Sequence, residues 1–172
     1  MKVSEISCSG KLLQRICLVL LLSLLVVSAT AQQRLFHIDR SRNKNIVCYD
    51  VNLDENKLHK KKPVIEYWER LAEDGRRENL SFFEKQFAFG CHVIKADETE
   101  AIVKLTAYKK REVRIHKHKG KWIASTIING KECRLTRIKV KSIPPKDLKV
   151  EYVELCGTTL KGNKEEVERI EK

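Results

Sequence analysis

Between residues 34 and 155 apolar and polar side chains alternate with a period of two. That restricts the chain to strands with one dry face and one wet face. Val47, Tyr49, Val51 and Leu53 share one parity. Ala101, Val103, Leu105 and Ala107 share one face of a second strand, with Lys104 and Thr106 opposite, and Val113 and Ile115 alternate with Glu112, Arg114 and His116. Further strands are predicted at 34–39, 63–70, 91–96, 121–128, 132–141 and 147–155. The links between them are short. Asn129-Gly130 is the preferred two-residue hairpin signal, Gly120 marks a second tip within 117–121, and 109–112 is read as another brief connection. Short links join antiparallel neighbours, because a parallel crossover needs about a dozen residues. Within 132–141 the apolar parity switches, from Cys133 and Leu135 to Ile138 and Val140, which predicts a bulge or sharp bend. Pro144-Pro145 ends that strand.

One short helix interrupts the pattern. Ser81 and Glu84 form a capping box, Leu80, Phe83 and Phe87 fall at helical spacing, and Gly90 stands at the stop. At about two turns, such a helix needs its phenyl rings packed on the sheet to persist. The fold class expected is therefore mainly β: an antiparallel meander of about eight strands curled into a barrel or half-barrel, with one short helix. A two-sheet β-sandwich is the alternative.

Residues 1–31 have the form of a cleavable signal peptide. Lys2, Lys11 and Arg15 precede an apolar run at 16–29, and Ala29-Thr30-Ala31 supplies the small-x-small cleavage pattern. The run is shorter than the roughly 20 residues of a spanning helix, so cleavage is preferred over an anchor, with no membrane span afterwards. The expected organisation is a signal peptide at 1–31, a single β-rich domain at 32–160 and a charged, frayed tail at 161–172. Export places the domain in the periplasm or outside the cell. Four cysteines remain after cleavage (Cys48, Cys91, Cys133 and Cys156), an even number that permits disulfides in an oxidising compartment.

Three stretches carry a resemblance. FHIDRSRNKNIVCYDVNL (36–53), PVIEYWERLAEDGRRENLSFFEKQFAFG (63–90) and YVELCGTTLKG (152–162) resemble a family of exported bacterial domains catalogued as a domain of unknown function. The most specific pieces are Arg40-Ser41-x-Asn43-x-Asn45, Tyr67-Trp68, and Phe87 with Gly90. The resemblance implies a bacterial envelope origin and brings no assigned activity, ligand or catalytic residue.

Two constellations are candidates for binding. Arg40, Asn43 and Asn45, in a polar loop opening a strand, can fix a ligand at a barrel mouth, with Tyr49 and Trp68 as wall. The alternative is that these side chains bond local backbone and shape the turn. The second is a basic patch of Lys109, Lys110, Arg111, Arg114, Lys117 and Lys119. Residues 104–121 hold eight basic residues and one acid, and the chain from 32 on holds 32 basic and 22 acidic residues. Such a face favours anionic partners: envelope lipid, glycan or protein. Nucleic acid is not expected, because aromatics are not interleaved with the basic residues.

No catalytic motif stands out. Glu66 and Glu69 face opposite sides of a strand, as do Cys91 and His92, and no Gly-x-Ser-x-Gly occurs. His116-x-His118 puts two imidazoles on one face amid dense positive charge, so neither a metal site nor a cofactor is expected. The function expected is a non-catalytic, exported binding or interaction domain of the bacterial envelope. A lipocalin-like small-ligand carrier is the alternative, and an uncharacterised hydrolase the weaker one.

Overall fold

The computed structural model describes residues 33–144 and 149–171. The signal-peptide reading of 1–31 falls outside them. The strands are β1 (Arg34–Arg40), β2 (Asn43–Val51), β3 (Leu53–Asp54), β4 (Lys57–Leu58), β5 (Val64–Arg70), β6 (Arg76–Asn79), β7 (Cys91–Ala96), β8 (Glu100–Leu105), β9 (Tyr108–His118), β10 (Lys121–Ile128), β11 (Lys131–Ser142), β12 (Val150–Thr159) and β13 (Glu165–Glu171). Helix α1 (Phe82–Glu84) continues as a wider turn, Lys85–Phe89. Among the described residues eleven strands form one mixed sheet, and β3 and β4 form a separate small hairpin.

The sheet is organised around the long strand β11. Its first residues pair with β10, as in Ser125 with Arg134, while residues 137–140 pair with β1. Its other edge pairs with β12 along its length. The exchange of neighbours happens at the parity switch. Leu135 faces Gly157 and Arg137 faces Cys156, so Thr136 is the extra residue of a bulge, and its hydroxyl donates to the Cys156 carbonyl at 3.1 Å. From this point the sheet divides into a wing β1-β2-β5-β6 and a wing β10-β9-β8-β7. Apolar residues of both wings meet in one core, including Phe36, Val47, Tyr49 and Trp68 from the first and Val103, Ile115, Ala124 and Ile128 from the second. The result is a curled half-barrel, as expected, rather than a sandwich. The described core lies wholly between Leu35 and Ile170.

Three expectations are corrected. The sheet is not wholly antiparallel: β1 runs parallel to β11, with His37 opposite Arg137. Period two fixes which face is buried but not which strand is the neighbour. The tail is not frayed, because residues 165–171 form β13 on β12. Its carboxylates are held by cations elsewhere: Arg111 to Glu168 at 2.6 Å and Lys131 to Glu166 at 2.6 Å. The four cysteines are free thiols. Cys48 and Cys156 are separated by β1 and β11, and Cys91 and Cys133 by three strands. At about 4.8 Å per strand, neither pair reaches the span of a disulfide, about 7 Å at most.

The turns follow their chemistry. Lys119-Gly120 and Asn129-Gly130 both have positive φ at each position, the hairpin geometry expected of such pairs. The link assigned to 109–112 lies earlier, at Thr106-Ala107. Leu105 pairs with Tyr108 and Lys104 with Glu112, so Lys109, Lys110 and Arg111 bulge out of β9.

Segment 80–90 joins the free edges β6 and β7. Its capping box is complete: Glu84 N donates to Ser81 Oγ at 3.3 Å and Ser81 N to Glu84 Oε2 at 2.7 Å. The turn then widens, with Gly90 N donating to the Lys85 carbonyl at 3.1 Å, and a β-carbon at Gly90 would lie 2.3 Å from that oxygen. Leu80 and Phe89 turn inward, and Phe89 meets Trp68 edge-on at 5.2 Å.

Candidate functional site

The residues expected to bind a ligand do not gather around a cavity. Arg40 and Asn43 close the β1–β2 hairpin. The Asn45 amide donates to Asn43 Oδ1 at 2.9 Å, and the Ala72 amide donates to Asn45 Oδ1 at 3.2 Å. Arg40 Nη2 donates to Ser142 Oγ at 3.4 Å, and the Ser142 amide donates to Ser41 Oγ at 3.2 Å. The motif therefore stitches the hairpin to the end of β11 and to the 71–72 turn. Tyr49 is fully buried, stacked on Phe36 at 4.4 Å, with its hydroxyl donating to the Phe89 carbonyl at 2.7 Å. Trp68 is also in the core, donating to Glu84 Oε1 at 2.9 Å. Tyr67 points to the other face of β5, as alternation requires.

Among the described residues the half-barrel interior is packed with the apolar core. The void bounded by Leu105, Val113, Leu135, Ile138 and Leu155 amounts to about 10 Å³, at or below what one water needs. A depression of about 340 Å³ lies outside, by Lys131, Glu132 and Lys161 at the β11–β12 end. Its Lys131 is committed to Glu166.

The face of the first wing turned away from the core carries a polar network that period two placed there but did not resolve. Successive cross-strand pairs set Cys156, Arg137, His37, Cys48, Tyr67 and Asn79 in one row. Asp50, nearly inaccessible, accepts from the Tyr67 hydroxyl at 2.9 Å and from Arg77 at 3.4 Å. Arg34 bridges Tyr67 at 3.1 Å and Glu69 at 2.7 Å. Cys48 donates its thiol to Glu69 at 3.2 Å. Burial, reinforced by the Glu69 carboxylate, pushes the Cys48 thiol up to about 12, so it is a proton donor here and not a thiolate. Burial pushes Tyr67 up to about 12 and lowers His37, which is thus held neutral at pH 7.

The basic patch is divided. Arg111 is held by both oxygens of Glu168, and its guanidinium also donates to the Ile127 carbonyl. Arg114 pairs with Glu100, and Lys117 lies 5.1 Å over the Trp122 ring. His116 is engaged with the Ser125 hydroxyl at 3.0 Å. Lys119 occupies a hairpin tip. The exposed pair Lys109 and Lys110 stands on the β9 bulge, and among the described residues no carboxylate is paired with either.

Beside that bulge lies a feature the sequence reading missed. Phe82, Phe83 and Phe87 are 72, 70 and 71 % exposed, and their rings touch in series at 5.8 and 6.3 Å. Helical spacing suggested inward packing, but the places beneath the segment are taken by Leu80, Phe89 and Trp68. The available signal was the doublet Phe82-Phe83: adjacent helical residues cannot both face one core. The phenyl segment and the bulge are joined through the β8–β9 tip. Thr106 N donates to the Gly90 carbonyl at 2.9 Å, and Thr106 Oγ1 to the Lys85 carbonyl at 3.3 Å. Three exposed rings thus share this end of the sheet with the bulge that carries Lys109 and Lys110.

Residues 36–169 match a family model described as a domain of unknown function, DUF4833. No curated protein and no solved structure matches the chain.

Proposed function

The chain belongs to the DUF4833 family of domains of unknown function, and on that premise we propose that it is an exported, non-catalytic binding module of the bacterial envelope that works through its outer surface and engages an anionic partner. The observation that carries the reading is the pairing of a filled interior, with a void of about 10 Å³, with the exposed Lys109 and Lys110 on the β9 bulge. A carrier of lipocalin type needs room inside for its ligand. A surface module needs unneutralised charge presented on a rigid element, and a bulge anchored between β8 and β10 supplies it. The leader-like residues 1–31 support export. Cys48, the buried thiol beside His37, is a hydrogen-bond donor to Glu69 and does not support a nucleophilic mechanism.

The test is binding of the compact unit Gln32–Lys172, which lies beyond the leader-like residues, to immobilised dextran sulfate over a salt series. Retention at low salt that falls steeply with ionic strength, and is cut about tenfold or more by Lys109→Glu with Lys110→Glu, is the expected result. Absence of retention at low salt refutes the reading.

A further inference from the structure

Resting on the reading above, we propose that the anionic partner is a lipid bilayer surface, which Phe82, Phe83 and Phe87 enter while Lys109 and Lys110 meet its headgroups. Exposed apolar side chains are ordinary when scattered. Three large rings in mutual contact, each about seven-tenths exposed, form a patch that marks a binding surface.

The segment is held firmly. Its start is closed by the Ser81–Glu84 capping box, its end by the Gly90–Lys85 bond, and its flank by the two Thr106 bonds. Presenting the rings outward therefore costs little further ordering on binding. The core offers them no alternative place, because Trp68, Leu80 and Phe89 already fill the side beneath.

The charges around the rings select the partner. Lys109 and Lys110 are exposed on the bulge at the same end of the sheet, whereas Lys85 is turned toward the buried Glu66. Of the nearby acids, Glu84 is engaged with the Ser81 amide and the Trp68 indole, Glu66 with Lys85 at 3.9 Å, and Glu112 with Lys104 at 3.2 Å. Phenyl rings bordered by lysines are the side-chain pattern of interfacial segments, in which rings reach the acyl boundary and ammonium groups stay at phosphate level. Each lysine near an anionic leaflet adds roughly a fivefold gain in affinity, and each fully buried phenyl about tenfold or more.

The experiment compares three surfaces with the Gln32–Lys172 unit: phosphatidylcholine vesicles containing 30 % phosphatidylglycerol (about that share is enough to give a negative surface), vesicles of phosphatidylcholine alone, and dextran sulfate. The unchanged protein is expected to sediment with the anionic vesicles and not with the neutral ones. Phe82→Ser with Phe83→Ser and Phe87→Ser is expected to lose vesicle binding by a factor of about 100 or more while keeping dextran sulfate binding. These rings are exposed, so the variant should fold, and unchanged circular dichroism checks that it does. A Phe83→Trp variant reports entry directly, since Trp68 and Trp122 are buried: quenching by brominated acyl chains is expected for the variant and not for the unchanged protein.

Vesicle binding undiminished in the triple serine variant overturns the proposal and leaves the anionic-surface reading standing. Binding to dextran sulfate but to no vesicle also overturns it, in favour of a soluble anionic partner. Binding to neither anionic surface removes the reading of function and the proposal together.

Discussion

Removing the Glu168 side chain tests how the charged tail is held. Arg111 donates to its two oxygens at 2.8 and 2.6 Å, and the Asn129 amide donates to Oε2 at 2.9 Å. Both ionic side chains are about one-fifth exposed, so solvent screens them only partly. A hydrogen bond to a charged group contributes about 1.5–3 kcal/mol, and bonds sharing one carboxylate do not add fully. Glu168→Ala is therefore expected to cost about 2–3 kcal/mol, and the cycle with Arg111→Ala to give a coupling of about 1–2 kcal/mol. With a urea slope near 2 kcal/mol per molar, the single variant lowers the midpoint by about 1 M. Fluorescence of the buried Trp68 and Trp122 follows the transition. The bond to Arg111 holds the Glu168 carboxyl below its ordinary value. Its contribution is then complete above the unfolded value of about 4.3 and fades as pH falls through the folded value. Stability of the unchanged protein should thus drop more steeply than that of Glu168→Ala as pH is lowered from about 5. A coupling within about 0.3 kcal/mol of zero, or parallel pH profiles, refutes the reasoning.

Other outcomes follow from single contacts. Tyr67→Phe deprives buried Asp50 of a donor at 2.9 Å and should lower unfolding free energy by about 1–3 kcal/mol, read by urea titration. Gly157→Ala places a β-carbon 2.4 Å from the Arg134 carbonyl oxygen and 2.8 Å from Ile128 Cδ1, opposite the bulge. It should cost more than about 2 kcal/mol, and a thermal midpoint unchanged from the native one would contradict that close approach. Ser81→Ala removes a cap from a surface segment. Amide exchange at 84–90 should accelerate while the sheet amides keep their rates, with about 1 kcal/mol lost locally. Intact mass after alkylation in denaturant should show four modified thiols on the Gln32–Lys172 unit, whereas two or four fewer alkyl groups would reveal one or two disulfides.

Much of the sheet was legible because side-chain parity is a local property. Val47, Tyr49 and Val51 alternate with Cys48 and Asp50 whatever lies next to β2, and the bulge at Thr136 was visible as the break between Leu135 and Ile138. Neighbour relations were not legible. Nothing in residues 34–40 indicates that their second partner lies a hundred positions onward, or that it runs parallel. The tail hid for another reason. Glu165, Glu166, Glu168 and Glu171 are poor strand formers alone, and their partners Arg111, Lys131 and the β12 ladder are distant in sequence. The same error made the basic patch look more uniform than it is, since Arg111 was counted without the carboxylate that holds it. At the helix, spacing was read as burial. A one-turn segment followed by a wider turn does not keep the 3.6-residue register on which that inference rests, so Phe83 and Phe87 came out exposed.

The sharing of β11 by both wings also sets the order in which the chain can complete itself. The contacts of β1 with β11, from His37–Arg137 to the Arg40–Ser142 bond spanning 102 residues, close a loop whose entropic cost is about 4 kcal/mol on a logarithmic length scale. The wing β1-β2-β5-β6 thus lacks its inner neighbour until nearly the whole chain has emerged from the ribosome. High contact order of this kind slows folding. The strand that unites the sheet is thus among the later ones to be synthesised, and topology alone keeps the first wing from closing early.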